Sequence, residues 1–104
     1  MAHERRISFA VSAVEDLVAI RTWYAERQVP EVGERLLHEV ISQAERLADF
    51  PEIGREVPEL GLAQLREVIH PPFRIVYRLD DERVRVVRVW RSKPLLRIPW
   101  GGER

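Results

Sequence analysis

The chain of 104 residues contains no cysteine. Disulfide bonds, thiolate metal sites and cysteine nucleophiles are therefore excluded, and the composition is compatible with a reducing compartment. The sequence also lacks any run approaching the roughly 20 apolar residues that span a membrane. Its first residues, MAHERR, are too charged for a signal peptide. We therefore expect a soluble cytoplasmic protein that makes no contact with a membrane.

Motifs for several common chemistries are missing as well. The sequence has no glycine-rich phosphate loop, no H-E-x-x-H motif and no cluster of metal ligands, so we expect neither a cofactor nor a metal. Its few serines have no histidine and acid partners that the sequence can identify, which disfavours a hydrolytic triad. Lysine is nearly absent, since 16 of the 17 basic residues are arginine. Codon bias of a GC-rich genome and selection for the guanidinium group both explain this preference.

The charge is unevenly distributed although the net charge is zero. Residues 1–65 carry seven arginines and twelve acidic residues, a net charge of −5, whereas residues 66–97 carry nine basic and four acidic residues, a net charge of +5. This asymmetry predicts two surfaces with different partners. The length fits a single domain over residues 1–104, which buries roughly 60–70% of its unfolded surface.

The segment from Phe73 to Arg91 predicts a β-hairpin. Two runs rich in valine, isoleucine and aromatic residues flank a polar tip at residues 80–83. Alternation with a period of two divides each strand between two sides. On the first strand, Phe73, Ile75, Tyr77 and Leu79 oppose Arg74, Val76 and Arg78; on the second, Val84, Val86, Arg88 and Trp90 oppose Arg85, Val87, Val89 and Arg91. Periodicity alone does not decide which side faces the core.

The arginines of this hairpin are candidates for binding an anion. A single outward arginine on a strand is usually only solvated. Several arginines on neighbouring strands repel one another and favour the binding of an acidic partner. Guanidinium groups bind phosphates and carboxylates or stabilise the transition state of phosphodiester cleavage, but they do not act as bases at neutral pH.

Two helices are predicted before the hairpin, after a first strand at residues 5–11. Ser12 and Glu15 form an S-x-x-E capping box, so a helix is expected to start at Ala13 and to run to about residue 27. Trp23 lies beside its apolar stripe and is expected in the core. A second helix is predicted over residues 32–49, with Pro30 near its start. The short connection predicts an antiparallel helical hairpin.

Apolar residues at spacings of three and four predict the buried side of each helix. The first stripe contains Ala13, Val14, Leu17, Val18, Ile20 and Tyr24, and the second contains Val32, Leu36, Leu37, Val40, Ile41, Ala44, Leu47 and Ala48.

A further strand and an irregular tail complete the predicted order. Residues 50–62 read as a loop with prolines and glycines, and Leu65–His70 reads as a strand before the turn at Pro71-Pro72. Residues 93–104 are expected to be irregular. The sequence thus predicts an α+β fold with the order β-α-α-β-β-β. The helical hairpin packs on one face of a mainly antiparallel sheet.

Four segments in this order resemble the RelE/ParE superfamily of bacterial toxins, also called plasmid stabilisation proteins. They are FPEIGR (50–55), LRE (65–67), FRIVYR (73–78) and VRVVRVWRS (84–92), and the likeness extends over residues 5–93. The resemblance implies a toxin of a type II toxin–antitoxin module. The extended and helical C-terminal segment of a cognate antitoxin would wrap the toxin, and operator DNA would be reached only through that antitoxin.

The resemblance leaves two targets open. ParE-like members bind DNA gyrase and poison it, whereas RelE-like members cut messenger RNA in the ribosomal A site. Arg74 matches the strand arginine that cleaving members use on the phosphate. The nuclease interpretation would use Arg74 and Arg91 on the phosphate, helped by Arg66 and His70.

Other positions depart from the cleaving members. Leu65, Arg66 and Glu67 stand where those members carry lysines, and Ser92, Lys93 and Trp100 stand where they place a histidine or tyrosine. Ribosomal RNA also favours a strongly positive protein, which this neutral chain is not. Both points favour gyrase as the target, with the nuclease as the alternative. A degenerate toxin that only binds an antitoxin is a third possibility.

The predicted target-binding residues are Arg55, Arg66, Arg74, Arg78, Arg88, Arg91 and Trp90. We expect their guanidinium groups to form an exposed row. Arg74→Ala is accordingly expected to relieve toxicity while leaving the fold intact, because an outward strand arginine contributes little packing.

Overall fold

A computed structural model describes residues 6–58, 60–81 and 83–92. The elements in chain order are β1 (Arg6–Phe9), α1 (Val11–Glu26), α2 (Pro30–Arg46), β2 (Arg55–Glu56), β3 (Leu65–His70), β4 (Phe73–Leu79) and β5 (Arg83–Arg91). Within these residues the strands form one five-stranded sheet in the order β1-β5-β4-β3-β2. The β1–β5 pair is parallel and the remaining pairs are antiparallel. The predicted fold class and the order of the predicted elements are confirmed, and the two-residue β2 is an additional strand within the predicted loop at residues 50–62. The predicted tail, 93–104, lies outside the described residues.

The helical hairpin covers one face of the sheet, which we call the helix face. Phe73, Ile75 and Tyr77 of β4 are fully buried against it, as are Val84 and Val86 of β5. The helices and the residue that follows α2 contribute to the same core Ala13, Ile20, Tyr24, Leu36, Leu37, Val40, Ala44 and Leu47. Each fully buried large apolar side chain contributes about 1.5–3 kcal/mol, so this layer is the main source of stability.

The two helices approach closely at Gly33. A Cβ atom built there would lie 2.9 Å from the Cβ atom of Tyr24, so glycine lets α2 pack directly on α1. The predicted stripe of α2 is buried or half-buried except at Ile41, which is 38% exposed. The predicted stripe of α1 is wrong at Val14 and Val18, because the sheet and α2 cover a narrower sector of α1 than its apolar residues occupy.

The predicted start of α1 is wrong. The helix begins at Val11, and no side chain caps it. The Ser12 hydroxyl instead donates to the backbone oxygen of Val87 at 2.7 Å, and the N–H of Ala10 donates to the oxygen of Val86 at 2.8 Å. Hydrogen bonds to β5 therefore determine where β1 ends and α1 begins.

The prediction that Trp23 lies in the core is also wrong. Its side chain is at the rim and 37% exposed, because Ile20 and Tyr24 occupy the buried positions of α1. The guanidinium groups of Arg27 and Arg91 lie 3.6 and 4.3 Å from the centroid of its ring. Cation–π contacts thus cover the part of the indole that the core does not.

A β-bulge corrects the predicted sides of β5. Val86 pairs with Tyr77, but Arg88 pairs with Val76, so Val87 is an extra residue in the strand. The bulge reverses the alternation beyond it. Val84, Val86, Val89 and Arg91 consequently share the helix face, while Arg85, Arg88 and Trp90 share the opposite face. Periodicity could not reveal an inserted residue.

Candidate functional site

The face of the sheet opposite the helices carries most of the strand arginines, and we call it the arginine face. Register places Arg74 opposite Trp90, Arg78 opposite Arg85, and Arg55 opposite Glu67. The arginines on this face are Arg6, Arg55, Arg74, Arg78, Arg83, Arg85 and Arg88. The predicted clustering of arginines on one side of the sheet is therefore present.

A buried carboxylate lies within this face. Glu67 of β3 is 1% exposed and is bound from both sides by guanidinium groups. Its Oε2 atom accepts from Arg55 Nε at 2.8 Å, and its Oε1 atom accepts from Arg74 Nε at 2.8 Å and Nη2 at 2.6 Å. A buried carboxylate is tolerated only when it is paired and hydrogen-bonded. Arg55 and Arg74 therefore have a structural task that the sequence did not show.

Arg88 is bound to the helical hairpin. Its Nε and Nη2 atoms donate to the two carboxylate oxygens of Asp16 on α1, at 2.8 and 3.0 Å. This hydrogen bond to Asp16 raises the pKa of the Arg88 guanidinium above its ordinary value. Asp16 also accepts from the backbone N–H of Val89 at 2.8 Å. One carboxylate thus fastens α1 to β5 where β1 no longer covers that strand.

Trp90 lies between two of these arginines. The guanidinium carbons of Arg74 and Arg88 each lie 5.4 Å from the centroid of its ring. The indole is half-buried, and its stacking with two cations positions both guanidinium groups along the sheet.

Arg66 and Arg91 lie on the helix face, away from Arg74. Arg66 Nη1 donates to the backbone oxygen of Gly54 at 2.8 Å and lies 3.4 Å from that of Glu52. Arg91 Nη2 donates to the hydroxyl of Tyr24 at 3.2 Å. The three arginines proposed for a nuclease are thus on two different faces of the sheet.

His70 contacts α2. Its Nε2 atom lies 3.0 Å from Oε1 of Glu39, and this hydrogen bond lowers the pKa of Glu39 below its ordinary value. Because the imidazole is engaged with α2, its position ties the end of β3 to the helical hairpin.

Tyr77 holds the loop that precedes β2. Its hydroxyl donates to the backbone oxygen of Pro51 at 2.7 Å and accepts from the N–H of Gly54 at 3.0 Å. Burial raises the pKa of this hydroxyl, so it stays protonated and able to donate. A Cβ atom on Gly54 would lie 2.5 Å from the Tyr77 oxygen, which explains the glycine. The FPEIGR segment is therefore held against the edge of the sheet by the hydroxyl of Tyr77.

Arg78 differs from the other predicted target-binding arginines. It is exposed, and it forms no ion pair or side-chain hydrogen bond with residues 6–58, 60–81 or 83–92. The expected exposed row is therefore wrong for Arg66 and Arg91, which lie on the other face, and for Arg74, which is largely buried. The exposed Arg55 and Arg88 are in the row, but their charges face internal carboxylates. The expectation that Arg74 contributes little packing is also wrong, because its side chain is 19% exposed.

Comparison with known proteins then identifies the chain. The family model described as the ParE toxin of the type II toxin–antitoxin system parDE matches residues 7–95. The chain belongs to this family. No curated protein matches this ParE-family chain significantly.

Solved structures share the fold. The chromosomal ParDE toxin–antitoxin system from P. aeruginosa matches with a TM-score of 0.74 and 20% identity, covering 88% of this ParE-family chain and 99% of that chain. The RelBE2 toxin–antitoxin complex from Mycobacterium tuberculosis matches with a TM-score of 0.62 and 24% identity, covering 85% and 98%. The E. coli DinJ-YafQ complex matches with a TM-score of 0.52 and 14% identity, covering 85% and 92%.

Two residues of the site were not singled out from the sequence of this ParE-family chain. Glu67 is one of four acidic residues in the basic half, and Asp16 occurs in the first helix, but only strand register and helix docking show that they bind Arg74 and Arg88. Within the described residues, no helix is long and apolar enough to cross a membrane. That same part of the chain contains no group of three or more potential metal ligands.

Proposed function

We propose that this toxin acts in the cytoplasm by binding DNA gyrase and poisoning it, and that its cognate antitoxin prevents this. The match to the ParE family supports the proposal, since gyrase is the target that the resemblance to ParE-like toxins implies. The toxin is then a protein-binding inhibitor without catalytic activity of its own.

The structural observation that carries the proposal concerns the groups a nuclease would need. A general base must be placed to accept the proton of the attacking hydroxyl. The imidazole of His70 lies on the helix face, where it is bound to Glu39, whereas Arg74 lies on the arginine face, bound to the buried Glu67. Arg66 and Arg91 point to the other side of the sheet from Arg74. This arrangement favours a binding surface over a cleavage site.

We assign target binding to the exposed part of the arginine face. The side chains of Arg55 and Arg88 are 65% and 44% exposed, so each can contact an acidic surface while keeping its internal pair. Arg78 is exposed, and Trp90 offers the aromatic anchor typical of protein interfaces. In this proposal Arg74 supports the surface by binding the buried Glu67, whereas Arg66 and Arg91, on the helix face, do not belong to it.

The antitoxin is proposed to cover the outer side of the helical hairpin. Val11, Val14 and Val18 of α1 are 72%, 45% and 55% exposed and recur at helical spacing. Val14 and Val18 also line a groove of about 130 Å³ between the helices, together with Leu37 and Ile41. Large exposed apolar surfaces mark sites of protein association. An amphipathic helical segment of the antitoxin fits this strip.

Induction of the toxin in bacteria without its antitoxin tests the target. We expect growth arrest with DNA double-strand breaks and an SOS response. In a reconstituted reaction, the toxin with purified gyrase and supercoiled plasmid should accumulate cleaved linear DNA, and added antitoxin should prevent this. Rapid arrest of translation with codon-positioned cuts in messenger RNA, and no DNA breaks, would establish the nuclease alternative. Absence of any growth defect from a soluble toxin would indicate a degenerate member.

A charge-neutralised variant with a matched control localises the activity. Arg78→Gln removes an exposed charge of the arginine face, whereas Arg35→Gln removes an exposed charge of α2. We expect Arg78→Gln to reduce gyrase poisoning and Arg35→Gln to leave it unchanged. Equal activity of the two variants would contradict the placement of the target surface. For the antitoxin surface, Val18→Glu should weaken antitoxin binding while poisoning persists.

A further inference from the structure

From the strand pairing we infer a site for the phosphodiester backbone of a nucleic acid at one corner of the arginine face. This corner, the tip corner, comprises Arg6, Arg78, Arg83 and Arg85. Arg6 of β1 lies opposite Arg83 of β5, and Arg78 of β4 lies opposite Arg85. Strand spacing and rise place the four residues within roughly 10 by 7 Å of sheet.

Among the described residues, the guanidinium groups of the tip corner form no ion pair, unlike those of the rest of the face. Arg55, Arg74 and Arg88 each bind a carboxylate of Glu67 or Asp16. None of the four tip-corner arginines forms an ion pair with any residue that the structure describes. At the hairpin tip, the Asp80 carboxylate accepts from the backbone N–H of Arg83 at 2.9 Å.

Two like-charged pairs side by side are unfavourable for the fold. Like charges directly opposite each other on neighbouring strands destabilise a sheet. Here the repulsion between Arg6 and Arg83 adds to that between Arg78 and Arg85. An anion bound among the four guanidinium groups would relieve both. The arrangement therefore suits a bound state better than the free protein.

An unsatisfied hydroxyl lies in the same corner. Ser8 of β1 pairs with Arg85, and its Oγ atom is buried without a hydrogen-bond partner. A buried hydroxyl left without a hydrogen-bond partner is unfavourable for the fold. A phosphate oxygen drawn between Arg6 and Arg85, with a small movement of the Arg85 side chain, provides the missing acceptor.

The chemistry of the corner favours phosphate over an acidic protein segment. Guanidinium groups bind phosphate oxygens in a bidentate manner, and the patch is wide enough for more than one phosphate. Protein interfaces depend on buried aromatic or apolar anchors. None of the four tip-corner residues is such an anchor, and Trp90 lies at the other end of β5. Backbone binding needs no such anchor and carries no sequence preference.

This inference goes beyond gyrase binding and does not depend on it. It assigns the toxin a direct contact with nucleic acid, in addition to any DNA reached through the antitoxin. Its test uses labelled 20-nucleotide single-stranded and duplex DNA of mixed sequence, titrated with the toxin at several salt concentrations. The test variant is Arg78→Gln/Arg85→Gln. The control, Arg35→Gln/Arg46→Gln, removes the same charge from exposed positions of α2.

We expect the wild type and the control to bind DNA with the same salt dependence, and the test variant to bind at least tenfold more weakly. Its log–log salt slope should fall by about 1.4 on single strands or 1.8 on duplex, because each lost phosphate contact removes about 0.7 or 0.9. An equal loss of DNA affinity in the test and control variants would overturn the assignment of the site to the tip corner. Failure of the wild type to bind DNA at low salt would overturn it as well. Equally tight, variant-sensitive binding of poly-glutamate would assign the corner to an acidic protein.

A stability measurement distinguishes binding loss from misfolding. At constant ionic strength, pyrophosphate should raise the melting temperature of the wild type and of the control, but not that of the test variant. Without pyrophosphate the test variant should melt at the same or a higher temperature than the wild type, because the repulsion is removed. A clearly lower melting temperature would mean that Arg78 and Arg85 support the fold, which contradicts the inference. The gyrase reaction is scored separately, so either proposal can fail alone.

Discussion

Replacement of Arg74 by methionine should destabilise the toxin strongly. Methionine keeps the apolar stem but removes both donors from Oε1 of Glu67, which lie at 2.8 and 2.6 Å. Removing one partner of a buried ion pair costs about 3–5 kcal/mol. Because Arg55 stays 2.8 Å from Oε2 of Glu67, we expect a loss of stability at the lower end of this range, about 3 kcal/mol.

Urea unfolding followed by tryptophan fluorescence measures this cost. For a small domain, a loss of about 3 kcal/mol lowers the urea midpoint by roughly 1–3 M and the melting temperature by more than about 10 °C. The matched control is Arg78→Met, four residues along the same strand and on the same face. It should change stability by less than about 0.5 kcal/mol, because its guanidinium has no internal partner among the described residues.

A second substitution tests the cause. In the Arg74→Met background, Glu67→Gln removes the buried charge that was left without its main partner. We expect this second substitution to restore more than about 1 kcal/mol of the free energy of unfolding, because residues 67 and 74 are in contact and their effects are coupled. If Arg74→Met and Arg78→Met unfold at the same urea concentration, the structural role of the Glu67 pair is refuted. Loss of toxicity in an Arg74 variant consequently reports on the target only if the variant is shown to be folded.

Three further outcomes follow from other contacts. Tyr77→Phe leaves the N–H of Gly54 and the carbonyl oxygen of Pro51 without their buried partner and should lower the free energy of unfolding, measured by urea titration, by about 2 kcal/mol. An unchanged urea midpoint would show that the Tyr77 hydroxyl does not stabilise this loop. Val40→Ala should lower the free energy of unfolding by about 1–3 kcal/mol because it leaves a core cavity, whereas Ile41→Ala, at an exposed position, should lower it much less. Equal losses in the two variants would contradict the burial of Val40 in the core. The pKa of Glu39 is lowered by its hydrogen bond to His70, so the stability that this carboxylate contributes is present above the ordinary pKa of 4.5 and is lost as the pH falls through the lowered pKa. Glu39→Gln should therefore lose less stability than the wild type below pH 4.5. Identical curves of stability against pH for the two proteins would show that the hydrogen bond contributes nothing.

Alternation and turn chemistry were sufficient for the sheet's outline. The runs at 65–70 and 73–79 became β3 and β4 with the predicted bounds, and the helical hairpin formed around the predicted stripe of α2. Local signals failed where distant groups competed. The Ser12 hydroxyl bonds to β5 rather than to its own helix, and the bulge at Val87 reverses the second half of β5. Neither event has a local sequence signature.

In the candidate site, too, local sequence patterns determined some features and contacts between distant residues determined others. The sequence by itself determined that arginines recur on one side of a sheet in the basic half of the chain, because period-two alternation is a property of the strand alone. Only the tertiary structure decided which of them are neutralised. Register brings Glu67 between Arg55 and Arg74, and helix docking brings Asp16 to Arg88, while the tip-corner guanidinium groups form no ion pair among the described residues. Charge pairing depends on contacts between residues far apart in the chain, and those exist only once the fold has formed.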